Sequence, residues 1–293
     1  MERTLMYRIT LEEKGWKLEK VLKVSLGFSV NQIRQAKFRQ NGVCVDGVRR
    51  RVSFLVSGGE LLEVKIEEAL ISSAQLVPEV AEIVVLYEDE DLLIVDKPSG
   101  IPVHPSKGHY GDSLANRLVY YFQKKQEMVK VRAIGRLDIE TSGIVIFAKS
   151  QMAAARLGEQ RAKGEFRKTY IALAEGIFCE KEGCICQPIG ISKVKSHAME
   201  VNCEGKFALT NYRVLEEMDG FSVVELNLQT GRTHQIRVHM AWLGHPLLGD
   251  VLYGGSQDKF KRVALHAVEV EFKHPFNGKS IFVRAEAPFM DVI

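Results

Sequence analysis

Residues 135–143 read Gly-Arg-Leu-Asp-Ile-Glu-Thr-Ser-Gly and are the most informative part of this 293-residue chain. They place one carboxylate, that of Asp138, between Arg136 and a Thr-Ser-Gly turn. The apolar run at 144–148 follows at once and predicts a buried strand. Because an acid at the mouth of a buried strand is costly unless its charge is compensated, the pattern favours a functional carboxylate.

A second polar segment, residues 231–239, reads Gly-Arg-Thr-His-Gln-Ile-Arg-Val-His and supplies cations that could compensate that acid. His234 and His239 are five residues apart, so they do not share one helical face as zinc ligands would. The chain has no His-Glu-x-x-His, Gly-x-Ser-x-Gly, Walker or Gly-x-Gly-x-x-Gly motif. We therefore expect neither a metal nor a nucleotide cofactor.

The composition is that of an ordinary globular protein, with 46% apolar and 26% charged residues. No apolar run approaches the ~20 residues that a membrane span needs. The first residues lack the layout of a signal peptide. We expect a cytoplasmic protein, and a monomer for lack of an obvious exposed apolar helix.

The five cysteines are an odd number and argue against a disulfide framework. Four of them (Cys179, Cys184, Cys186 and Cys203) lie near His197, so a zinc site has to be weighed. No Cys-x-x-Cys pair is present among them, and such pairs carry most of the signal for zinc. The favoured interpretation is that these cysteines are reduced thiols in a surface segment, and metal binding by them stays open.

Positive charge is concentrated near the N-terminus. Residues 14–51 contain ten cations and two acids, a net charge of +8, whereas the whole chain carries +3. Charge gathered in one small segment is typical of a protein that binds a phosphate backbone. The cations that we expect to contact nucleic acid are Lys17, Lys20, Arg34, Lys37, Arg39, Arg49 and Arg50.

The same segment has the pattern of a small module with two helices and short strands. Apolar residues recur at helical spacing in its first part, at Leu18, Val21, Leu22 and Leu26. Ser29 can cap a second helix, which the Asn-Gly pair at 41–42 ends. Strands are predicted at 43–45, from Val52 onward, and at 61–64. We expect a module over residues 1–70, with a solvated basic helix pair as the alternative.

Residues 71–81 have the composition of a linker, and residues 82–293 form a larger domain. Helices are predicted at 113–126 and 151–163. Short strands joined by turns are predicted at 82–87, 91–96, 168–175, 201–203, 210–215, 222–228 and 268–272. This pattern indicates an α+β fold, with a mixed and mostly antiparallel sheet flanked by helices.

Several separated blocks, in order, resemble the RluA-type branch of the RNA pseudouridine synthases. Besides 135–143 and 231–239 they are residues 91–100 with 103–105, 166–170, 245–254 and 265–267. Residues 14–66, with three arginines after an Asn-Gly-Val-x-Val-Asp-Gly turn, resemble the S4 RNA-binding module. One departure is Gly135, where RluA-type enzymes usually carry His; Gly is similar to the sister branch that modifies ribosomal RNA.

The resemblance implies isomerisation of uridine in RNA to pseudouridine without a cofactor. It implies that Asp138 is the catalytic aspartate, that Tyr170 stacks on the flipped base, and that Arg237 pairs with Asp138. It further implies that Arg136 fills the space left by that base. Weaker candidates for substrate contact are Thr141, Arg232, His234 and Leu265.

The RNA partner is expected to be ribosomal RNA of the large subunit, with transfer RNA as an open alternative. Two other functions compete with this reading. One is an RNA-binding or ribosome-assembly protein without activity. The other is a glycoside or nucleoside hydrolase, for which Glu140 would have to be the second carboxylate.

Overall fold

The computed structural model describes residues 2–67, 76–127, 129–130 and 132–290. The N-terminal elements form a four-stranded antiparallel sheet in the order β1-β4-β2-β3, covered by two short helices. The elements in chain order are β1 (Glu2–Arg8), α1 (Leu18–Lys20), α2 (Val30–Phe38), β2 (Val43–Val45), β3 (Val48–Arg49) and β4 (Leu61–Glu67).

Both predicted helices of this N-terminal module are present. One π-helical turn, Val21–Ser25, continues α1, and the apolar residues with helical spacing are all buried in the module's core. Ser29 caps α2 by accepting a hydrogen bond from the Gln32 backbone N–H, and Gln32 accepts one from the Ser29 N–H in return. Helical spacing and the capping residue Ser29 were therefore sufficient to place these helices.

The strand predicted to start at Val52 is wrong. Residues 52–54 instead form a turn whose carbonyls cap the start of α1: Val52 accepts from the Glu19 N–H and Phe54 from the Leu18 N–H, both at 2.8 Å. The third strand is the two-residue β3, which contains the first of the three arginines, Arg49. Strand β1 was not predicted, although it pairs with β4 along its whole length.

The larger part of the chain folds around one mixed sheet. Among the described residues this sheet has ten strands, and eight of them follow the order β10-β13-β14-β9-β15-β8-β6-β5, with β16 beside β15 and β7 beside β8. Every pairing is antiparallel except that between β15 and β8. In chain order, the first elements of this larger part are β5 (Val84–Glu88), β6 (Leu92–Lys97), α3 (Leu114–Lys124), β7 (Arg132–Ala133), β8 (Ser142–Ala148), α4 (Gln151–Ala162) and β9 (Arg167–Glu175). The remaining elements are β10 (Glu182–Cys186), β11 (Ile189–Ile191), β12 (Met199–Val201), β13 (Leu209–Met218), β14 (Phe221–Leu228), α5 (Gln235–Trp242), β15 (Leu265–Lys273) and β16 (Ser280–Arg284).

This architecture confirms the predicted α+β fold with a mixed, mostly antiparallel sheet. Strands β7, β10, β11 and β16 were not predicted, and the strand expected at 201–203 is wrong by two residues. β12 ends at Val201 because residues 202–205 close a turn, in which the Gly205 N–H donates to the Asn202 carbonyl at 2.8 Å. No helix in the described part of the chain is long and apolar enough to cross a membrane.

Strand β8 lies in the middle of the sheet and is buried on both faces. On one face it packs against Leu118 of α3 and Met240 of α5. On the other face it packs against Ala153 and Leu157 of α4. A strand covered by helices on both faces gives a rigid support for the loop that precedes it, residues 135–141.

Helix α4 also contacts the N-terminal module. Met152 belongs to the core of that module. The guanidinium of Arg156 donates to the Leu26 carbonyl at 3.2 Å and to the Pro275 carbonyl at 2.7 Å, so it bridges the module and the turn after β15. The predicted linker begins at residues 71–75, which lie outside the described residues. Its later part packs on α3, where Arg117 holds Glu79 through two hydrogen bonds of 3.1 Å.

Gly143 is the closest approach between β8 and β15. Its φ is +110°, and a Cβ there would overlap the backbone of Ala267, 2.5 Å from the nitrogen. We expect Gly143→Ala to lower the free energy of unfolding by at least about 2 kcal/mol, because neither backbone can yield. Denaturant unfolding checks this.

Gly158→Ala is the matched control for that substitution. Gly158 is an exposed helical glycine with open space around its Cα. Alanine should raise stability there by about 0.5–1 kcal/mol through helix propensity. Equal stabilities of the two variants would contradict the close approach at Gly143.

Candidate active site

A cavity of about 750 Å³ opens at the N-terminal end of β8. Its walls come from the 102–109 segment, the 135–141 loop, the 231–237 segment and single residues of α4, β9 and β15. All eight residues predicted to act in catalysis or substrate contact line it: Asp138, Tyr170, Arg237, Arg136, Thr141, Arg232, His234 and Leu265. The structure thus brings together residues that are up to 129 positions apart between Arg136 and Leu265.

The loop that carries Asp138 is fastened to the end of β6. The ammonium group of Lys97 is fully buried and donates to the carbonyls of Pro98, Ile101 and Ile139, at 2.8, 2.8 and 3.1 Å. Burial lowers the pKa of Lys97 to about 8, and the negative charges of Asp138 and Glu140 oppose that shift. Lys97 is therefore mostly protonated at pH 7 and holds the loop through three carbonyls.

Asp138 is less buried than its sequence context predicts. Its side chain is 28% exposed and is accessible from the cavity. The backbone carbonyl of Asp138 accepts a hydrogen bond from the Thr141 N–H at 3.1 Å, which closes the turn before β8. The carboxylate therefore faces open space from a turn whose backbone is fixed.

Arg237 has a closer partner than the one predicted. Its Nε and Nη2 donate to the two carboxylate oxygens of Asp250 at 2.7 and 2.8 Å, whereas its Nη1 lies 3.9 Å from Oδ2 of Asp138. Burial alone would lower the pKa of Arg237, but the hydrogen bonds and charge of Asp250 outweigh it and raise that pKa. Arg237 is thus fixed by Asp250 and presents its remaining N–H groups toward Asp138.

The turn before α5 sets the orientation of the Arg237 side chain. His234 takes the left-handed conformation, with φ at 54°, and its Nδ1 lies 2.8 Å from the hydroxyl of Tyr253. Burial lowers the pKa of His234, so its ring is neutral at pH 7. The Tyr253 ring lies 5.1 Å from the Arg237 guanidinium carbon and shields the buried ion pair.

Tyr170 projects from β9 and is nearly fully buried. Burial, and then the negative charge of Asp138, raise the pKa of Tyr170, so its phenol stays protonated at neutral pH. Lys168 lies two residues earlier on the same face, with its Nζ 5.5 Å from the Tyr170 ring. Burial and the nearby charges of Arg161 and Lys97 lower the pKa of Lys168 to about 7.

The remaining predicted contacts differ in what holds them. Arg232 donates from Nε to the Phe207 carbonyl at 2.9 Å, so one side of its guanidinium is already engaged. Leu265 is buried and gives an apolar wall. Among the described residues, nothing hydrogen-bonds to the buried hydroxyl of Thr141. Arg136 is exposed at the cavity edge.

Comparison with known proteins identifies the family. The family model described as RNA pseudouridylate synthase matches residues 91–242. An uncharacterized RNA pseudouridine synthase of Bacillus subtilis is 42% identical over 239 residues, which are 81% of this chain and 78% of that protein. The ribosomal large subunit pseudouridine synthase D of Haemophilus ducreyi is 34% identical over 313 aligned positions, covering 99% of this chain and 94% of that protein. The chain belongs to the RNA pseudouridine synthase family.

A solved structure agrees with this assignment. The human RNA pseudouridylate synthase domain containing 1 protein has a TM-score of 0.60 and 30% identity, over 72% of this chain and 86% of that one. The family resemblance predicted from the separated sequence blocks is therefore confirmed. The synthase is an isomerase that converts uridine in RNA to pseudouridine, and the readings as an inactive RNA-binding protein or a hydrolase give way to it.

Sequence reasoning gave no role to Asp250 or Arg161, two charged residues of the synthase cavity region. Asp250 belongs to a block that resembles the family, but one acid after Leu-Leu-Gly reads equally well as a turn residue. Arg161 ends a helix and has the spacing of a solvated cation. Only the three-dimensional arrangement shows that the first is buried and that the second faces the cavity.

The seven predicted RNA-binding cations of the synthase lie on the N-terminal module, outside the cavity. All are exposed except Arg39, which is half-buried. Three exposed cations lie over aromatic rings: Lys20 is 3.6 Å from the Trp16 ring centre, Lys37 is 4.9 Å from that of Phe38, and Arg50 is 4.7 Å from that of Phe54. Each of these three cations thus lies beside an aromatic ring of the N-terminal module.

Within the described residues, three possible metal ligands converge at Asp89, Asp91 and His274, and the cysteines weighed for zinc are not part of such a group. His274 accepts hydrogen bonds on Nδ1 from the Phe276 and Asn277 N–H groups, both at 3.2 Å. Its Nε2 therefore carries the proton and faces Asp89 at 3.0 Å. Hydrogen bonds alone account for this cluster.

The Arg237–Asp250 pair makes the synthase sensitive to loss of one buried charge. We expect Asp250→Asn to lower the free energy of unfolding by about 3 kcal/mol, because it leaves a buried guanidinium without its counter-charge. Denaturant unfolding measures this. Glu225→Gln, which breaks the exposed 3.0 Å pair with Arg213, is the control and should cost less than about 1 kcal/mol. Similar losses in both variants would contradict the special role of burial.

Proposed function

We propose that this synthase isomerises uridines in ribosomal RNA of the large subunit, in the cytoplasm, with Asp138 as the catalytic carboxylate. The observation that carries the proposal is the position of Asp138, Tyr170 and Arg237 on one cavity. The cavity volume is within the range of about 300–1,000 Å³ for small-molecule sites, so a flipped nucleotide fits. Relatives named as large-subunit synthases support the choice of ribosomal RNA over transfer RNA.

The reaction breaks the C1′–N1 glycosidic bond, turns the uracil, and joins C5 to C1′; C5 loses its proton and N1 takes one up, so the reaction is an isomerisation without redox change. Asp138 supplies the carboxylate, and Arg237, at 3.9 Å, places positive charge beside that carboxylate without occupying it. The raised pKa of Tyr170 favours stacking of its ring on the uracil over direct removal of a proton by its hydroxyl. Arg136, exposed at the cavity edge, replaces the base in the RNA stack.

We further propose that residues 1–70 are an S4-like RNA-binding module, joined by a linker at 71–81 to a catalytic domain at 82–293. The separate sheet and core of the N-terminal module support this division. The exposed cations Arg34 and Lys37 project from α2, and Arg49 and Arg50 lie at β3 beside it. Cations that lie beside aromatic rings suit a single-stranded or looped RNA, which offers both phosphates and unstacked bases.

Asp138→Asn tests the catalytic assignment. The variant should fold and bind RNA, because the side chain is partly exposed and its size is kept. Its rate of pseudouridine formation on unmodified large-subunit ribosomal RNA should fall by at least about 10³-fold. Asp219→Asn, an exposed acid outside the cavity, is the control and should keep full activity.

Two outcomes would count against this proposal. Measurable turnover by Asp138→Asn, after deamidation is excluded, would remove this residue from the mechanism. Turnover of unmodified transfer RNA transcripts but not of ribosomal RNA by the wild type would overturn the proposed substrate.

The double substitution Arg34→Gln/Lys37→Gln tests the RNA-binding module. For each phosphate contact that is lost, fewer counterions are released when RNA binds. The slope of log affinity against log salt concentration should therefore flatten by about 1.5 when two contacts are lost. Titration of ribosomal RNA transcripts at several salt concentrations measures it. The control is Lys124→Gln/Lys279→Gln, two exposed cations of the large domain with the same change in charge. An equal slope for both double variants would mean that the module is not an RNA anchor.

A further inference from the structure

We propose that Arg161 binds a backbone phosphate next to the target uridine, a contact specific to the mouth of this cavity. The inference rests on the proposed function, since it assigns a new contact in the same site. Arg161 lies in the last turn of α4, lines the cavity, and is exposed to solvent. It therefore stands where the cavity meets the surface, the place that the backbone of a bound RNA must cross.

Two glycines make room for the Arg161 guanidinium. A Cβ on Gly135 would lie 3.0 Å from Nη1, and a Cβ on Gly231 would overlap Nη2. Gly135 and Gly231 begin the two polar segments that carry Asp138 and Arg237. The guanidinium thus lies between the two segments that build the site, at a place where each segment has a glycine and therefore no side chain.

The position of the Arg161 guanidinium is not explained by a partner in the described part of the chain. In residues 2–67, 76–127, 129–130 and 132–290, no carboxylate or carbonyl accepts a hydrogen bond from it. Lys168 is close enough to interact with it, because the charge of Arg161 lowers the pKa of Lys168 further after burial has lowered it. Asp138 lines the same cavity, and Arg237 already lies 3.9 Å from that carboxylate. A free guanidinium among other cations calls for an anion from outside the chain.

The geometry favours a phosphate over the base itself. The uracil has to enter the cavity to reach Asp138, whereas its flanking phosphates stay at the rim where Arg161 is exposed. The planar guanidinium can donate two parallel hydrogen bonds to phosphate oxygens. Arg161 would hold the backbone on one side of the flipped nucleotide and so contribute to the affinity for RNA.

Arg161→Gln tests this contact with unmodified large-subunit ribosomal RNA as the probe. Kd should rise by about tenfold, the salt slope should flatten by about 1, and kcat should stay within twofold of the wild type. Lys163→Gln is the matched control, because it removes an exposed cation two residues away that does not line the cavity. It should leave Kd and slope unchanged.

Gly231→Ala provides a second, independent variant. Its methyl group should displace the flexible guanidinium and raise Kd in the wild-type background, but add nothing in the Arg161→Gln background. Additive effects of the two substitutions would overturn the proposal. A raised Kd with an unchanged salt slope would also overturn it, in favour of a base contact.

The remaining outcomes separate this contact from the proposed function. A fall in kcat with unchanged Kd would overturn the phosphate contact and place Arg161 among the reacting groups. Equal effects of Arg161→Gln and Lys163→Gln on Kd and salt slope would overturn the phosphate contact, because positive charge anywhere near the cavity would then have the same effect. Wild-type turnover on the same transcript reports separately on the substrate, because Kd and salt slope are read from binding alone.

Discussion

The buried ion pair between Arg237 and Asp250 is the interaction on which the geometry of the cavity depends. Two parallel hydrogen bonds to Asp250 fix the plane of the guanidinium, and a buried cation cannot leave its counter-charge without a large loss of stability. Arg237 therefore cannot turn fully toward Asp138. Its Nη1 stays 3.9 Å from Oδ2 of Asp138, close enough to place positive charge beside that carboxylate and too far to block its oxygens. A direct bidentate pair with Asp138 would have occupied the carboxylate that we propose as the catalytic one.

The sheet provides the second constraint. Asp138 lies in a turn, and turns are usually mobile, but this turn leads directly into a strand buried on both faces. Lys97 then ties the turn to the end of β6 through the carbonyl of Ile139. Because the ammonium group of Lys97 donates to backbone carbonyls, it does not need a carboxylate of the cavity as its partner. The position of the carboxylate is thus set by main-chain contacts, and its charge remains available to the substrate.

The sequence was sufficient for the parts of the site that local pattern defines. Residues 135–143 and 231–239 carry their polar side chains in short blocks, so Asp138 and Arg237 could be found before the fold was known. Asp250 could not be paired with Arg237 by pattern, because that contact depends on how the turn after α5 folds back. The strand expected at Val52 failed for a similar reason: its β-branched neighbourhood favours a strand, but its carbonyl is needed to cap α1. Secondary-structure propensity describes what a segment prefers in isolation. The contacts of Asp250 and Val52 are instead made with residues far away in the sequence.

Charge in this enzyme is divided between two places that the net value of +3 conceals. The N-terminal module carries exposed cations beside aromatic rings, a surface suited to affinity. Burial, and then the charges of Arg161 and Lys97, lower the pKa of Lys168, next to the cavity residue Tyr170, to about 7. The acids Asp138 and Glu140 line the same cavity, and Arg237 lies 3.9 Å from Asp138. The two places therefore differ in kind: the module presents exposed cations to solvent, whereas the cavity holds cations and acids close to one another.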